Sequence, residues 1–268
     1  MPVFLHNGNL HAFVHIPKCG GTTIERILED RFGTLGLLNP SYYKDPLPQR
    51  WSKTSPQHIT WADMEHIIPE AMLDKVFAVV RHPLTRFVSS YNFAARIGKV
   101  PAGMGPEEWF EKATWDLSKI PYHADNHLKR QIDLMPEGTV VFRLEDGLDE
   151  LVDWIDTTFG VSGIGIGSPS NVAPKPTSED FSERALSASL RSRIEGYYAE
   201  DYERFGYDRE IDVVPSFQVP RRRARSFSSK IKLKLWLHRI EHRFRRIESS
   251  MLMAANKIQD HTPRNRVS

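Results

Sequence analysis

The sequence holds one cysteine, Cys19, in 268 residues, so no disulfide can form within the chain. That usage fits a reducing compartment. Long apolar runs are missing as well. No stretch approaches the roughly 18 consecutive apolar residues of a spanning helix. The opening MPVFLHNGNLHAFVHI has no basic segment followed by a long apolar one. The expectation is a cytoplasmic protein without a signal peptide, soluble or peripheral to a membrane. The 11 histidines are scattered and show no zinc-site spacing, so no metal is expected. The Walker pattern GxxxxGK[ST] is absent, which removes the direct argument for ATP with magnesium. No internal repeat occurs.

What is present is an ordinary globular composition with segregated charge. Hydrophobic residues make up 40% and charged ones 26%, enough for one domain with a sizeable core plus an appendage. The net charge of +2 divides sharply: residues 220–268 carry 14 Lys/Arg against 3 Asp/Glu, leaving an acidic body. The division predicts a domain over 1–212 and a basic linker with an amphipathic helical tail over 213–268. Arg221, Arg222, Arg223, Arg225, Lys230, Lys232 and Lys234 precede a narrow helical stripe of Ile240, Phe244, Ile247, Met251, Ala254 and Ile258. Four uses stay open for the tail: packing on the acidic body, contact with another subunit, an anionic membrane face, or an acidic polymer. Nucleic acid is not expected, because no stacking platform or base-reading motif accompanies the charge.

Hydrophobic periodicity gives the coarse architecture. HAFVHI (11–16), KVFAVV (75–80) and TVVFRL (139–144) read as short buried strands of the continuous apolar kind found in parallel sheets. Helical spacing follows the first strand in IERILEDRF and the second in the segment after RHP. Further helices are predicted over 60–73, 106–114, 121–133, within 145–159 and over 179–205. Residues 33–56 and 160–178 read as loops. Strands alternating with helices predict an α/β fold, a P-loop-like parallel sheet flanked by helices, with the basic helical tail beyond it.

Two segments carry phosphate chemistry. PKCGGTT lies where a strand ends and a helix begins, and a helix N-terminus with free N–H groups attracts anions. Gly20 and Gly21 allow close backbone approach, Thr22 and Thr23 add hydroxyls, and Lys18 adds a positive charge. The plainer alternative is a glycine turn before an amphipathic helix with an incidental lysine. In VFAVVRHPLTRFVSSYNFA, Arg81 leaves the end of a buried strand, the usual ligand edge of an open α/β sheet. Arg86, Ser89, Ser90 and Tyr91 follow on a helix, and an arginine and a serine converging on one spot suit a phosphate monoester through paired and single donors. The alternative is an exposed helix with two arginines.

HIPKCGGTTIERIL resembles the 5′-phosphosulfate loop of the sulfotransferases that use 3′-phosphoadenosine 5′-phosphosulfate (PAPS), on the carbohydrate sulfotransferase-like branch. The second segment resembles that family's 3′-phosphate motif at Arg81, Pro83, Arg86, Ser89 and Tyr91, with His82 where Asp or Asn is usual. The resemblance spans roughly residues 11–208. It implies that Lys18 meets the bridging oxygen and sulfuryl group, with Gly20, Gly21, Thr22 and Thr23 around the 5′-phosphate. It implies Arg81 and Ser89 at the 3′-phosphate.

In-line sulfuryl transfer also needs a base for the acceptor proton. His58, between the two segments, occupies the region where the related enzymes hold a histidine, and the resemblance implies it as that base. His123 and His127 are the runners-up. His15 reads as structural, His66 as solvent-facing and Glu25 as an ordinary helix residue. Cys19 could gain a lowered pKa from the adjacent helix N-terminus, but reads as a filler. The implied reaction moves a sulfuryl group from PAPS to a hydroxyl or amine of an acceptor, a sugar hydroxyl first, with loops 33–56 and 98–121 selecting the acceptor. The rivals are an ATP-dependent phosphotransferase and a polyanion-binding protein with a degenerate nucleotide site.

Overall fold

The computed structural model describes residues 1–163, 181–182 and 185–209. The chain divides into two compact units, Met1–Pro220 and Arg221–Ser268. The predicted basic tail and its helical stripe, and most of the predicted loop 160–178, lie outside the described residues.

Four strands form one sheet: β1 (Val3–His6), β2 (Asn9–Val14), β3 (Leu73–Val80) and β4 (Val140–Arg143), in the order β1-β2-β3-β4. β2 pairs parallel with β3, and β3 parallel with β4. The three predicted strands are these three. β1 is an addition, antiparallel to β2 with His6 opposite Asn9. Asn7 (φ 50°) and Gly8 (φ 81°) make the two-residue hairpin turn between them. Asn-Gly favours that turn because both central residues must take positive φ.

Alternate residues of β2 and β3 serve two cores. Phe13, Phe77 and Val79 pack with Ile24, Leu28, Leu151 and Ile155 on one face. Ala12, Val14, Ala78 and Val80 pack with Trp61 and Met64 on the other. Burial on both faces explains the unbroken apolar runs of these strands. The first face is covered by α1 (Gly21–Phe32) and α5 (Asp149–Phe159), and the second by α2 (Trp61–Glu65). A third core joins α3 (Pro83–Arg96), α4 (Pro106–Lys119), α6 (Ala188–Tyr197) and α7 (Ala199–Phe205).

Two predicted helices are corrected. The one expected over 60–73 is only α2. Thr60 caps it by accepting from the Asp63 N–H, and the chain leaves it before Pro69 to enter β3 at Leu73. The one expected over 121–133 is two 3-10 turns, His123–Asn126 and Ile132–Leu134. Ala124, Asp125 and Asn126 all take left-handed backbone angles, with φ of 50°, 55° and 62°. Helical spacing there was overridden by side chains that bond elsewhere in the fold.

Candidate active site

Each parallel strand delivers polar residues at its carboxyl end. After β2 the chain turns through His15–Gly20 into α1. Gly20 has φ 82°, and no side chain caps the helix. The N–H groups of Gly20, Gly21 and Thr22 make no hydrogen bond among the described residues. The first turn of α1 carries no acidic residue. This is the open, electropositive N-terminus that the sequence predicted, and its amides fit an oxyanion. Thr22 is exposed and Thr23 half-buried.

Lys18 also has positive φ, 70°, which costs a non-glycine residue about 1 kcal/mol. Its carbonyl accepts from Arg81 Nη1 at 3.3 Å, which helps hold that conformation. Its ammonium sits 4.2 Å from the centre of the Phe93 ring. Burial, then the charges of Arg81 and Arg96, lowers the Lys18 pKa to about 8.

His15 lies beneath this loop. Its Nδ1 is 2.6 Å from Glu25 Oε1, and both side chains are 8% exposed. Glu25 is thus a buried partner rather than the ordinary helix residue expected. Burial lowers the His15 pKa to about 4, so the neutral ring donates Nδ1–H to the carboxylate. A Cβ on Gly21 would fall 2.0 Å from His15 Nε2, so at this position glycine is required for space. Cys19 is 1% exposed, and burial pushes its thiol up to about 12. A thiol lowered by the helix terminus is thereby excluded, because desolvation outweighs that terminus, and Cys19 fills core space as the filler reading has it.

After β3, Arg81 Nε donates to Thr85 Oγ1 at 3.1 Å. Gln131 pairs with the Arg81 peptide as a strand neighbour would. Its Oε1 accepts from Arg81 N–H at 2.9 Å and its Nε2 donates to the Arg81 carbonyl at 2.8 Å. His82, the departure from the family pattern, caps α3: its Nδ1 accepts from the Leu84 N–H at 3.3 Å. An Asp or Asn would do the same through a side-chain oxygen. Ser89 lies one turn beyond Thr85 on the same helix face, half-buried and with no hydrogen bond among the described residues.

Arg86 is internal, against the alternative of an exposed helix with two arginines. It is 1% exposed, and its guanidinium donates to the carbonyls of Pro17 (3.1 Å), Lys129 (2.8 Å) and His127 (3.1 Å). It ties the phosphate loop to the segment after the left-handed turn.

His58 closes a 3-10 turn at Pro56–His58. Its ring meets His15 at 4.6 Å and His127 at 5.4 Å between centroids. His127 in turn lies 5.1 Å from Phe93, the ring beneath Lys18. His15, Lys18 of the loop before α1, and the predicted base therefore share one continuous cluster. Burial, then the charge of His58, pushes His127 well below its ordinary range. His123 instead faces Asp116 on α4 at 3.6 Å, and His66 is exposed.

Asp125 is the group that the sequence reading missed. Its Oδ2 is 2.6 Å from His58 Nδ1. Burial works to raise its carboxyl, but the hydrogen bond and charge of His58, with two hydrogen bonds from Ser55, hold it well below the usual carboxylate range. No local pattern marks this acid, which lies 67 positions from its partner. Among the described residues, the nearest approach to a metal set is His58, Asp125 and His127, with one donor atom each within 4.8 Å. The Nδ1 of His58 is already engaged by Asp125 in a hydrogen bond.

Strand ends that present an open helix N-terminus, an arginine and an imidazole suit the site of an α/β group-transfer enzyme. The sulfotransferase family matches residues 7–208, so the chain belongs to that family. It is a transferase, and the group it moves is sulfuryl. No curated protein and no solved structure gave a match.

Proposed function

We propose that the protein transfers a sulfuryl group from PAPS to a hydroxyl, on a carbohydrate acceptor, by in-line displacement with His58 as base. One observation carries the reading: Lys18 at the open end of α1 and His58 lie in one contiguous cluster, bridged by Phe93 and His127. A base for the acceptor and a cation for the leaving group must flank one transfer path, and this arrangement meets that need.

Bound PAPS supplies an activated sulfate whose leaving group is a phosphate. The amides of Gly20, Gly21 and Thr22, with the Thr22 and Thr23 hydroxyls, receive the 5′-phosphate. Lys18 neutralises charge that builds on the bridging oxygen, and its pKa of about 8 keeps it mostly protonated at neutral pH. Arg81 and the uncommitted hydroxyl of Ser89 hold the 3′-phosphate. His58 takes the acceptor proton. The reading calls for no metal.

Calorimetric titration with adenosine 3′,5′-bisphosphate tests the donor side, with AMP, and ATP plus magnesium, as controls. The expected result is micromolar affinity, about −8 kcal/mol, weak binding of AMP, and loss of binding in Arg81→Ala. No bisphosphate binding, or a preference for ATP, would overturn the reading in favour of a phosphotransferase.

A further inference from the structure

The Asp125 carboxylate receives more donors than a loop acid ordinarily does. His58 Nδ1 (2.6 Å) and Ser55 Oγ (2.8 Å) approach Oδ2. The Ser55 N–H (2.7 Å) and the Tyr43 hydroxyl (2.8 Å) approach Oδ1. The backbone that presents this acid is strained. Three consecutive left-handed residues, Ala124, Asp125 and Asn126, each cost about 1 kcal/mol. Asp and Asn tolerate that region better than alanine does, and Ala124 has no side chain to repay it. Such runs persist where surrounding structure over-determines them, commonly at functional sites.

Both following side chains fasten to the same residue. Asp125 holds the His58 ring, and Asn126 Nδ2 donates to the His58 carbonyl at 2.8 Å. The strain is thus coupled to the orientation of one imidazole. The predicted helix over 121–133 would have held neither contact in place.

We propose that Asp125 is a positioning residue for His58, fixing the tautomer with Nδ1 protonated and stabilising the imidazolium formed during transfer. The proposal rests on the function proposed above. In the step, the acceptor O–H bond breaks and its proton goes to His58 Nε2. The acceptor oxygen forms its bond to sulfur as the bond from sulfur to the phosphate oxygen breaks, and that oxygen keeps the electron pair beside Lys18. The ionised Asp125 carboxylate accepts the Nδ1–H throughout and does not itself take the proton. Ser55 and Tyr43 fill the remaining acceptor positions of Asp125, so the carboxylate cannot swing away from the ring.

Two readouts test this. Proton NMR of the full chain should show a strongly deshielded imidazole proton that survives His15→Ala, and so is not that of the His15–Glu25 pair, and that is absent from both His58→Ala and Asp125→Asn. Release of labelled sulfate from PAPS to water reports turnover without a known acceptor. Asp125→Asn should lower kcat by about 10²–10⁴-fold, the span of a general base's contribution. KM and bisphosphate affinity should change less than threefold, and Asp125→Glu should recover part of the loss. His58→Ala with Asp125→Asn should be no slower than His58→Ala alone, because the two residues act as a unit.

A persisting resonance in Asp125→Asn, wild-type kcat in that variant, or additive losses would overturn the proposal. If Asp125→Asn does not fold, absence of the resonance from the wild type overturns it, and presence of the resonance with its loss in His58→Ala sustains the pairing. A wild-type protein that shows the resonance but neither binds the bisphosphate nor consumes PAPS overturns the donor assignment instead.

Discussion

The proposed donor side and the proposed base side of the site are built by opposite means. The donor side uses regular elements: β2 feeds the open end of α1, and β3 feeds Arg81 and α3. Its residues lie close in sequence, Lys18 to Thr23 and Arg81 to Ser89. The base side uses 3-10 turns and left-handed backbone, and it joins His58 to Asp125 across 67 positions. Regular elements place backbone amides reliably, which suffices for an anion. The proposed base, His58, needs one ring nitrogen aimed at one proton, and the hydrogen bonds that hold its ring and carbonyl run between two loops.

Arg86 should give the largest effect, because it joins the two sides. Arg86→Ala removes donors from three carbonyls, those of Pro17, His127 and Lys129. The expected loss is roughly 3–5 kcal/mol of stability, given the penalty for each buried unpaired group. Urea denaturation measures it, and bisphosphate binding and PAPS turnover should fall together. A variant that loses only turnover would show that the two sides are less connected than this arginine implies.

A smaller effect should mark the donor side alone. Gly21→Ala forces the His15 ring to move, since the new Cβ would lie 2.0 Å from Nε2. Overpacking of this kind costs about 1–3 kcal/mol. Thermal denaturation should show that cost shrinking when Gly21→Ala is made in a His15→Ala background. Equal costs in the two backgrounds would mean that room beside His15 is not what requires the glycine.

The smallest effect is a pH dependence. Lys18 is lowered to about 8 by burial and by Arg81, so raising pH through that value removes the charge from the free site. Bound anion favours the protonated form. Bisphosphate affinity should therefore weaken above pH 8, by at most tenfold per unit, about 1.4 kcal/mol. Titrations from pH 7 to 9.5 check the slope, and Lys18→Arg should flatten it. Stability runs the other way. The folded-state pKa lies below the unfolded value near 10.4, so the cost of burying the charge is full below about 8 and is relieved as pH rises through that window.

The elements that carry the proposed donor side were largely legible. Lys18, the glycines, Arg81 and the three parallel strands follow from local patterns, because each depends on residues within one strand–turn–helix unit. His82 departs from the family pattern, yet its capping role preserves what the turn requires. Legibility failed where a local signal met a distant partner. Glu25 has helical surroundings in sequence, but His15 makes it a buried acceptor. Cys19 sits beside a helix terminus, but burial governs its thiol. The segment 121–133 has helical spacing, but Asp125 and Asn126 bond to the 55–58 turn and the backbone follows them.

The sequence by itself determined the three parallel strands, the open N-terminal end of α1 and the family, because these are properties of contiguous residues. Only the tertiary structure decided that Arg86 is an internal tie, that Gln131 braces the Arg81 peptide, and that His58 has Asp125 for a partner. Those roles depend on which chain segments become neighbours, and loop backbone strained to place a carboxylate leaves no periodic mark on the sequence.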